Sequence, residues 1–297
     1  MSSRLTQRGM AVIAALLVVV AASALATSVI ERQGIMASIL ISERDRTQAI
    51  WLLKGGLDWS RVILMMDARS NPTTRLDGMW ALPVLGLPVG TAEDPDRALF
   101  SGQIEDEQAK FNISELAERG RIVPGQLEML ENLLRWLDIN PDLARAMAHR
   151  VALAQPGENG LPKAVGLRSL DDLRALEGFS QTIIDALQPY ITVLPPGTKI
   201  NVNTASAEVL AAIIPEIGLA GARELVVQRD RGLWFVNRGD FTNRVRTTTD
   251  DAAQRISVNS NWFRVTGEVT VGATLVSLRA LLHRSSQGLA SVRWVTY

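Results

Sequence analysis

Glu105, Asp106 and Glu107 form an acidic cluster whose natural chemistry would be cation binding. Calcium takes six to eight oxygen ligands. The segment around the cluster reads as a strand, and alternate strand residues face opposite sides. At most two of the three can therefore share a site. Glu105 and Asp106 are the candidate calcium ligands, with Asp94 and Asp96 in the preceding loop able to add oxygens. A solvated strand face is the competing reading. Other chemistry is poorly supplied. With no Cys, disulfides, thiol catalysis and cysteine-metal sites are excluded, and only His149 and His283 offer imidazoles. No nucleophile motif, P-loop, HExxH or Gly-rich dinucleotide loop is present. The chain is expected to act without catalysis.

A second chemistry would be performed on the chain. Arg4 and Arg8 lie in a short basic leader that ends in Gly9, and Met10 opens an uncharged run, MAVIAALLVVVAASALATSVI, lasting to Ile30. As a helix this run spans roughly 30 Å, the thickness of a bilayer's hydrocarbon core. Positive residues stay cytoplasmic, so the expectation is a single-pass inner-membrane protein, N-terminus inside and bulk periplasmic. Ala24-Leu25-Ala26 would suit signal peptidase, but the run exceeds the h-region of a secretory signal. A plain single-span anchor is a further alternative. A Gly between a basic leader and a long apolar helix resembles the prepilin peptidase site of type IV pilins and pseudopilins. There the cut falls between Gly9 and Met10, and the helix stays on the mature protein.

These features need a long stem and a body. Beyond Ile30 the helical pattern continues, with Ile50, Leu53, Leu57 and Leu64 at helical spacing and Asn71-Pro72 as a stop. A single helix from Met10 to near Asp67 would be about 85 Å long. Trp51 and Trp59 on it are expected to pack against a sheet. Residues 79–88 read as a Pro-limited edge segment and 99–111 as a strand, with Gly102 at a bulge. From Asn112 to Asp251 the periodicity is helical, and strands return at 257–260, 262–269, 273–282 and 292–296. The strands on either side are too few to stand alone. Together on the long helix they make one α+β body, into which the helical block is inserted.

These stretches together resemble the K-type minor pseudopilin of type II secretion systems. The resemblance rests on the QRGMAVIAALL junction, WLLKGGLDW at 51–59, SGQIEDEQAKFN at 101–112, PYITVLP at 189–195 and NVNTASAEVL at 201–210. It implies a type IV pilin-like fold, a long N-terminal helix on a small antiparallel sheet, with a large inserted all-α domain. The expected division is a leader at 1–9, a transmembrane part at 10–30, pilin-like parts at 31–111 and 252–297, and a helical insert at 112–251. It further implies a place at the tip of the periplasmic pseudopilus, helping to initiate its assembly and so to export folded proteins. The implied partners are the prepilin peptidase, other minor pseudopilins, the major pseudopilin and secreted substrate proteins. Calcium, which pseudopilins often bind, is the one implied cofactor. The fifth residue from Met10 is Ala14, where most pilins carry Glu. An intramembrane carboxylate needs a positive partner, so its absence suits a subunit with nothing above it. The face expected to meet partner helices runs through Ile35, Ile39, Ile50, Leu53 and Leu57.

The insert carries a rival reading. Residues 201–210, IPEIG at 214–218 and GLWF at 232–235 resemble the helix-hairpin-helix modules of DNA-uptake proteins, as does LEGFS at 176–180. Such hairpins bind phosphate through backbone N–H groups. Here Glu216 stands at the first Gly position. Residues 165–246 hold nine basic and nine acidic side chains, where a DNA module needs a basic patch. The chain overall is balanced, with 31 Lys+Arg and 31 Asp+Glu. A helical scaffold is the expectation, and a membrane-anchored DNA receptor the alternative.

Overall fold

The computed structural model describes residues 4–90, 94, 97–157, 160–245, 254–285 and 288–297. Helix α1, Arg4–Ser70, is 67 residues long, or about 100 Å at 1.5 Å per residue. Between Met10 and Arg44 nearly every side chain is exposed. From Asp45 onward one stripe turns inward: Ala49, Leu53, Leu57 and Leu64 are buried. Their spacings of four, four and seven residues keep them on one face. The helix stops where expected. Asn71 returns both its backbone N–H and its side-chain amide to Asp67, and Pro72 follows.

The inward stripe lies on a five-stranded antiparallel sheet. Its strands are β1 (Val84–Pro88), β2 (Ala98–Asp106), β9 (Trp262–Val271), β10 (Thr274–His283) and β11 (Ser291–Thr296), in the order β1-β2-β9-β10-β11. Strand β2 pairs along its whole length with β9, from Ala98 opposite Val271 to Asp106 opposite Phe263. Val265, Val269, Val276, Leu278 and Leu282 alternate inward to meet α1. Gly56 is required there, because a Cβ would come within 2.5 Å of the Phe100 ring. A helix-interior Gly costs about 1 kcal/mol relative to Ala, and here it permits the close approach of sheet and helix. Gly102 pairs regularly with Gly267. The irregularity expected at Gly102 falls instead in β1, between Val84 and Leu87.

Between β2 and β9 the chain builds a second core. It contains helices α2 (Pro124–Trp136), α3 (Asp142–Leu153), α4 (Gln181–Leu187), α5 (Ala207–Ile213), α6 (Gly218–Asp230) and α7 (Arg238–Val245). Short strand pairs tie it together: β3 (Phe111–Asn112) with β6 (Ile191–Thr192), β4 (Ala117–Glu118) with β5 (Arg121–Ile122), and β7 (Ile200–Asn201) with β8 (Ile256–Ser257). Phe111, Leu130, Leu134, Met147, Leu210, Phe235, Phe241 and Ile256 pack together, separate from the core beneath α1. Asp251, the expected end of the insert, lies outside the described residues.

The strand expected over 99–111 is shorter than the sequence suggests. It ends at Asp106, whose side chain accepts from Gln108 N–H and so caps one turn of 3-10 helix over Glu107–Ala109. The chain turns there out of the sheet and into the helical block.

Candidate functional site

The two cores meet at a buried polar joint built largely from the stretches around 101–112 and 201–204. Asp106, at the end of β2, accepts hydrogen bonds from Ser260 Oγ (2.5 Å), Thr204 Oγ1 (2.6 Å), Gln108 N (2.8 Å) and Asn201 Nδ2 (3.2 Å). Burial pushes its carboxyl above the ordinary range, and those four donors partly offset the shift. Glu107 points elsewhere. It meets Arg264 on β9 at 2.5 Å and Lys110 at 2.8 Å, and accepts from the Thr192 hydroxyl of the helical block. Burial raises the Glu107 carboxyl, but Lys110 and Arg264 outweigh that and hold it below its ordinary value.

The neighbouring amides complete the joint. Gln108 donates to Lys199 O and accepts from Asn261 N–H at 2.6 Å. Asn112 reads the backbone of Leu194 and Pro195. Asn203 bonds both backbone groups of Phe235. Arg284, just past β10, gathers Asp67, Thr74 Oγ1 and Ser260 O. The end of α1, both middle strands and the helical block are thus fastened at one place. Each of these side chains is hydrogen-bonded or ion-paired, which is what polar burial requires. The chemistry of the joint is cohesion. Beside it, a groove of about 1080 Å³ separates the outer face of β9–β11 from the helical block, and the Arg279–Asp171 bridge at 3.3 Å spans the two.

The structure corrects several expectations. Glu105 and Asp106 turn to different partners within the protein. Asp106 is committed to four donors, while Glu105 faces Lys110 and Arg264 at 3.0 and 3.6 Å. Among the described residues no group of three acidic or His side chains converges, and Asp96 lies outside them. The cluster is not a solvated face either, since Asp106 and Glu107 are buried. Leu53 and Leu57 cannot face a partner helix, being buried on this chain's own sheet. Ile50 is half-buried beside them, and only Ile35 and Ile39 on that stripe are exposed. Trp51 and Trp59, expected on the sheet, instead face outward, 66% and 52% exposed. Gly9, Met10 and Ala14 all lie within α1, which is long and apolar enough to cross a membrane.

The hairpin-like segment does form two adjacent helices, α5 and α6, with Pro215–Ile217 between them and Glu216 exposed. A phosphate there would meet that carboxylate. Arg229 on α6 is buried and donates to the carbonyls of Ala205 and Val202, so its charge holds the fold together. Arg223 bridges to Glu208.

The sequence as a whole has known relatives. Models of the family described as type II secretion system (T2SS), protein K, match residues 109–196 and 200–259. Type II secretion system protein K of Pectobacterium carotovorum subsp. carotovorum is 29% identical over 98% of this chain and 96% of its own. The Klebsiella pneumoniae protein of the same name is 28% identical, over 97% and 95%. Among solved structures, a chain of the GspK-GspI-GspJ complex from the enterotoxigenic Escherichia coli type 2 secretion system shares the fold. Its TM-score is 0.67 at 18% identity, covering 86% of this chain and 97% of that one.

Proposed function

Because the chain belongs to the family of type II secretion system protein K, we propose that it is a non-enzymatic minor pseudopilin at the tip of the secretion pseudopilus, helping to initiate its assembly. The observation that carries this reading is the division of α1. Its first part is an exposed rod, uncharged from Met10 to Ile30, that packs on nothing among the described residues, and from Asp45 onward it is the spine of the sheet. A soluble domain has no use for the first part. A membrane-anchored subunit that passes into a fibre needs both.

In this reading prepilin peptidase cuts between Gly9 and Met10, and Arg4 and Arg8 stay cytoplasmic with the leader. The body lies in the periplasm. Ala14 carries no charge that must be met by a subunit above, so partners join from below. The helical unit between β2 and β9, as large as many whole domains, caps the fibre, because repeated at every step it would clash with its neighbours. The partners are other minor pseudopilins, as in the Escherichia coli complex with GspI and GspJ, and beneath them the major pseudopilin.

Two measurements test this. Sequencing the N-terminus of the membrane-extracted protein should give Met10, whereas a start at Thr27 would mean an ordinary signal peptide and end the pseudopilin reading. Labelled fibres should carry the protein at one end. Finding it at intervals along the shaft would overturn the tip assignment.

A further inference from the structure

The two outer edges of the five-stranded sheet are built differently. Strand β1 is blunted: Pro83 precedes it, Pro88 ends it, Gly86 sits at φ 58°, and its pairing slips between Val84 and Leu87. Strand β11, at the other end, reads SVRWVT, rich in strand formers and free of proline and glycine. It pairs with β10 alone, so its outer row of N–H and C=O groups has no partner in the sheet. The groove of about 1080 Å³ runs up to this edge. Trp294, Val295 and Thr296 all line it. Successive strand residues point to opposite faces, so the groove reaches round the strand and is not confined to one face. Its far wall, residues 167–169 and 193–196, lies outside any helix or strand. Clefts where two bodies meet are where ligand sites concentrate.

The groove also carries charge that the protein leaves unmatched. Arg264 and Arg279 are met by Glu107 and Asp171, and Asp172 accepts from the N–H groups of Arg168 and Ser169. The guanidinium groups of Arg168 and Arg293 line the groove without a carboxylate partner among the described residues. A bulge places Arg293. Leu281 pairs with Trp294 and Leu282 with Val292, so Arg293 is the extra residue with none opposite it. Its guanidinium lies 5.5 Å from the centre of the Trp262 ring, which is part of the same groove.

We propose that β11 and this groove take up an extended, acidic segment of another polypeptide as a sixth strand. Main-chain bonds to the open edge of β11 hold the segment in line, and the groove receives its alternate side chains. Arg168 and Arg293 select carboxylates among them, since a guanidinium and a carboxylate form the strongest of the common side-chain pairs. Leu281 and Trp294 give the apolar floor between the two cations. The six residues of β11 offer an edge of about 20 Å. The proposal goes beyond the reading above and does not depend on it.

The test uses the full-length protein in mild detergent and a pool of fluorescein-labelled eight-residue peptides in which Glu alternates with Val or Thr. Fluorescence anisotropy should show saturable binding, with a dissociation constant of about 100 μM or tighter. Arg293→Ala and Arg168→Ala should each weaken it by about tenfold, while their thermal midpoints stay at the wild-type value because both side chains are exposed. A pool with Lys in place of Glu should not bind. Alternate amides of a strand face the same edge. Of two pools N-methylated at alternate residues, one at Glu and one at Val or Thr, one should therefore lose binding and the other keep it. No saturable binding, equal binding of the Lys pool, or indifference to both methylations would overturn the proposal. So would a dimer of this chain that the Glu pool fails to displace and Arg293→Ala dissolves, because a second copy would then fill the groove.

Discussion

Ser260 Oγ donates a 2.5 Å hydrogen bond to Asp106 Oδ2 across 154 residues of sequence. The bond joins the residue where the chain leaves the sheet to the segment by which it returns. Asp106→Ala would strip Ser260 Oγ and Gln108 N–H of their acceptor, while Asn201 keeps Thr74 O and Thr204 keeps Asn201 O; each unmet buried donor costs about 1–3 kcal/mol. The expected loss of unfolding free energy is about 3 kcal/mol or more by urea titration in detergent. Ser260→Ala, which removes one donor and leaves the acceptor three others, should lose only about 1 kcal/mol.

Glu107→Gln should be more costly at neutral pH. It leaves Lys110 and Arg264 with only the partly exposed Glu105, and breaking a buried ion pair typically costs about 3–5 kcal/mol. Its pH signature has a definite sign. The folded carboxyl is held below its ordinary value of 4.5, so its contribution is complete above pH 4.5 and lost as pH falls through the folded value. The variant should therefore show a shallower acid limb. Asp106 has the opposite sign. It is raised above 3.8, so its contribution is present below pH 3.8 and lost as pH rises through the folded value. Asp106→Asn should flatten that part of the profile. Urea midpoints for the three proteins from pH 3 upward check both directions.

The two adjacent glycines of α1 should respond in opposite ways. Gly56→Ala places a methyl group against the Phe100 ring, and overpacking of this kind costs about 1–3 kcal/mol. Gly55→Ala meets open space and should gain about 0.5–1 kcal/mol. Thermal midpoints of the two variants should bracket the wild type.

Leu53→Asp should destabilise the body itself by about 4 kcal/mol or more, because Leu53 is 1% exposed and an unpaired carboxylate would enter the core. Trp59→Ala, on the exposed face, should leave the unfolding midpoint nearly unchanged. Limited proteolysis of the two proteins in membranes would separate them without an assembly assay.

Much of this architecture is legible in the sequence, for local reasons. The apolar run after Met10, the stop at Asn71-Pro72 and the alternation in 262–269 each announce an element through its own periodicity. What escaped is whatever depends on distant residues. Glu105 and Asp106 read as a cation site, and the whole cluster as a wet strand, because the groups that bury Asp106 and Glu107, namely Ser260, Arg264 and Thr192, are 85 to 157 positions away. The outward tryptophans escaped for another reason. Helix α1 has two apolar stripes, one through Leu53 and Leu57 and one through Trp51 and Trp59, and spacing alone does not say which the sheet covers. A hint lay in the glycine pair, since only one of two neighbouring helix positions can face the sheet squarely.

The insertion point between β2 and β9 also has a mechanical meaning. A thrust delivered along α1 passes through Leu53, Leu57 and Leu64 into β9 and β10. The helical block lies off that load path and is carried on it as freight. Axial force reaches the block as shear across the buried joint, through Asp106, Glu107 and Arg264 and through the Arg284 and Asn201 bonds to Asp67 and Thr74. Apolar contact has no preferred direction and lets surfaces slide, whereas hydrogen bonds weaken steeply when bent. At the one place where sliding would detach the load, the protein is fitted with a dowel.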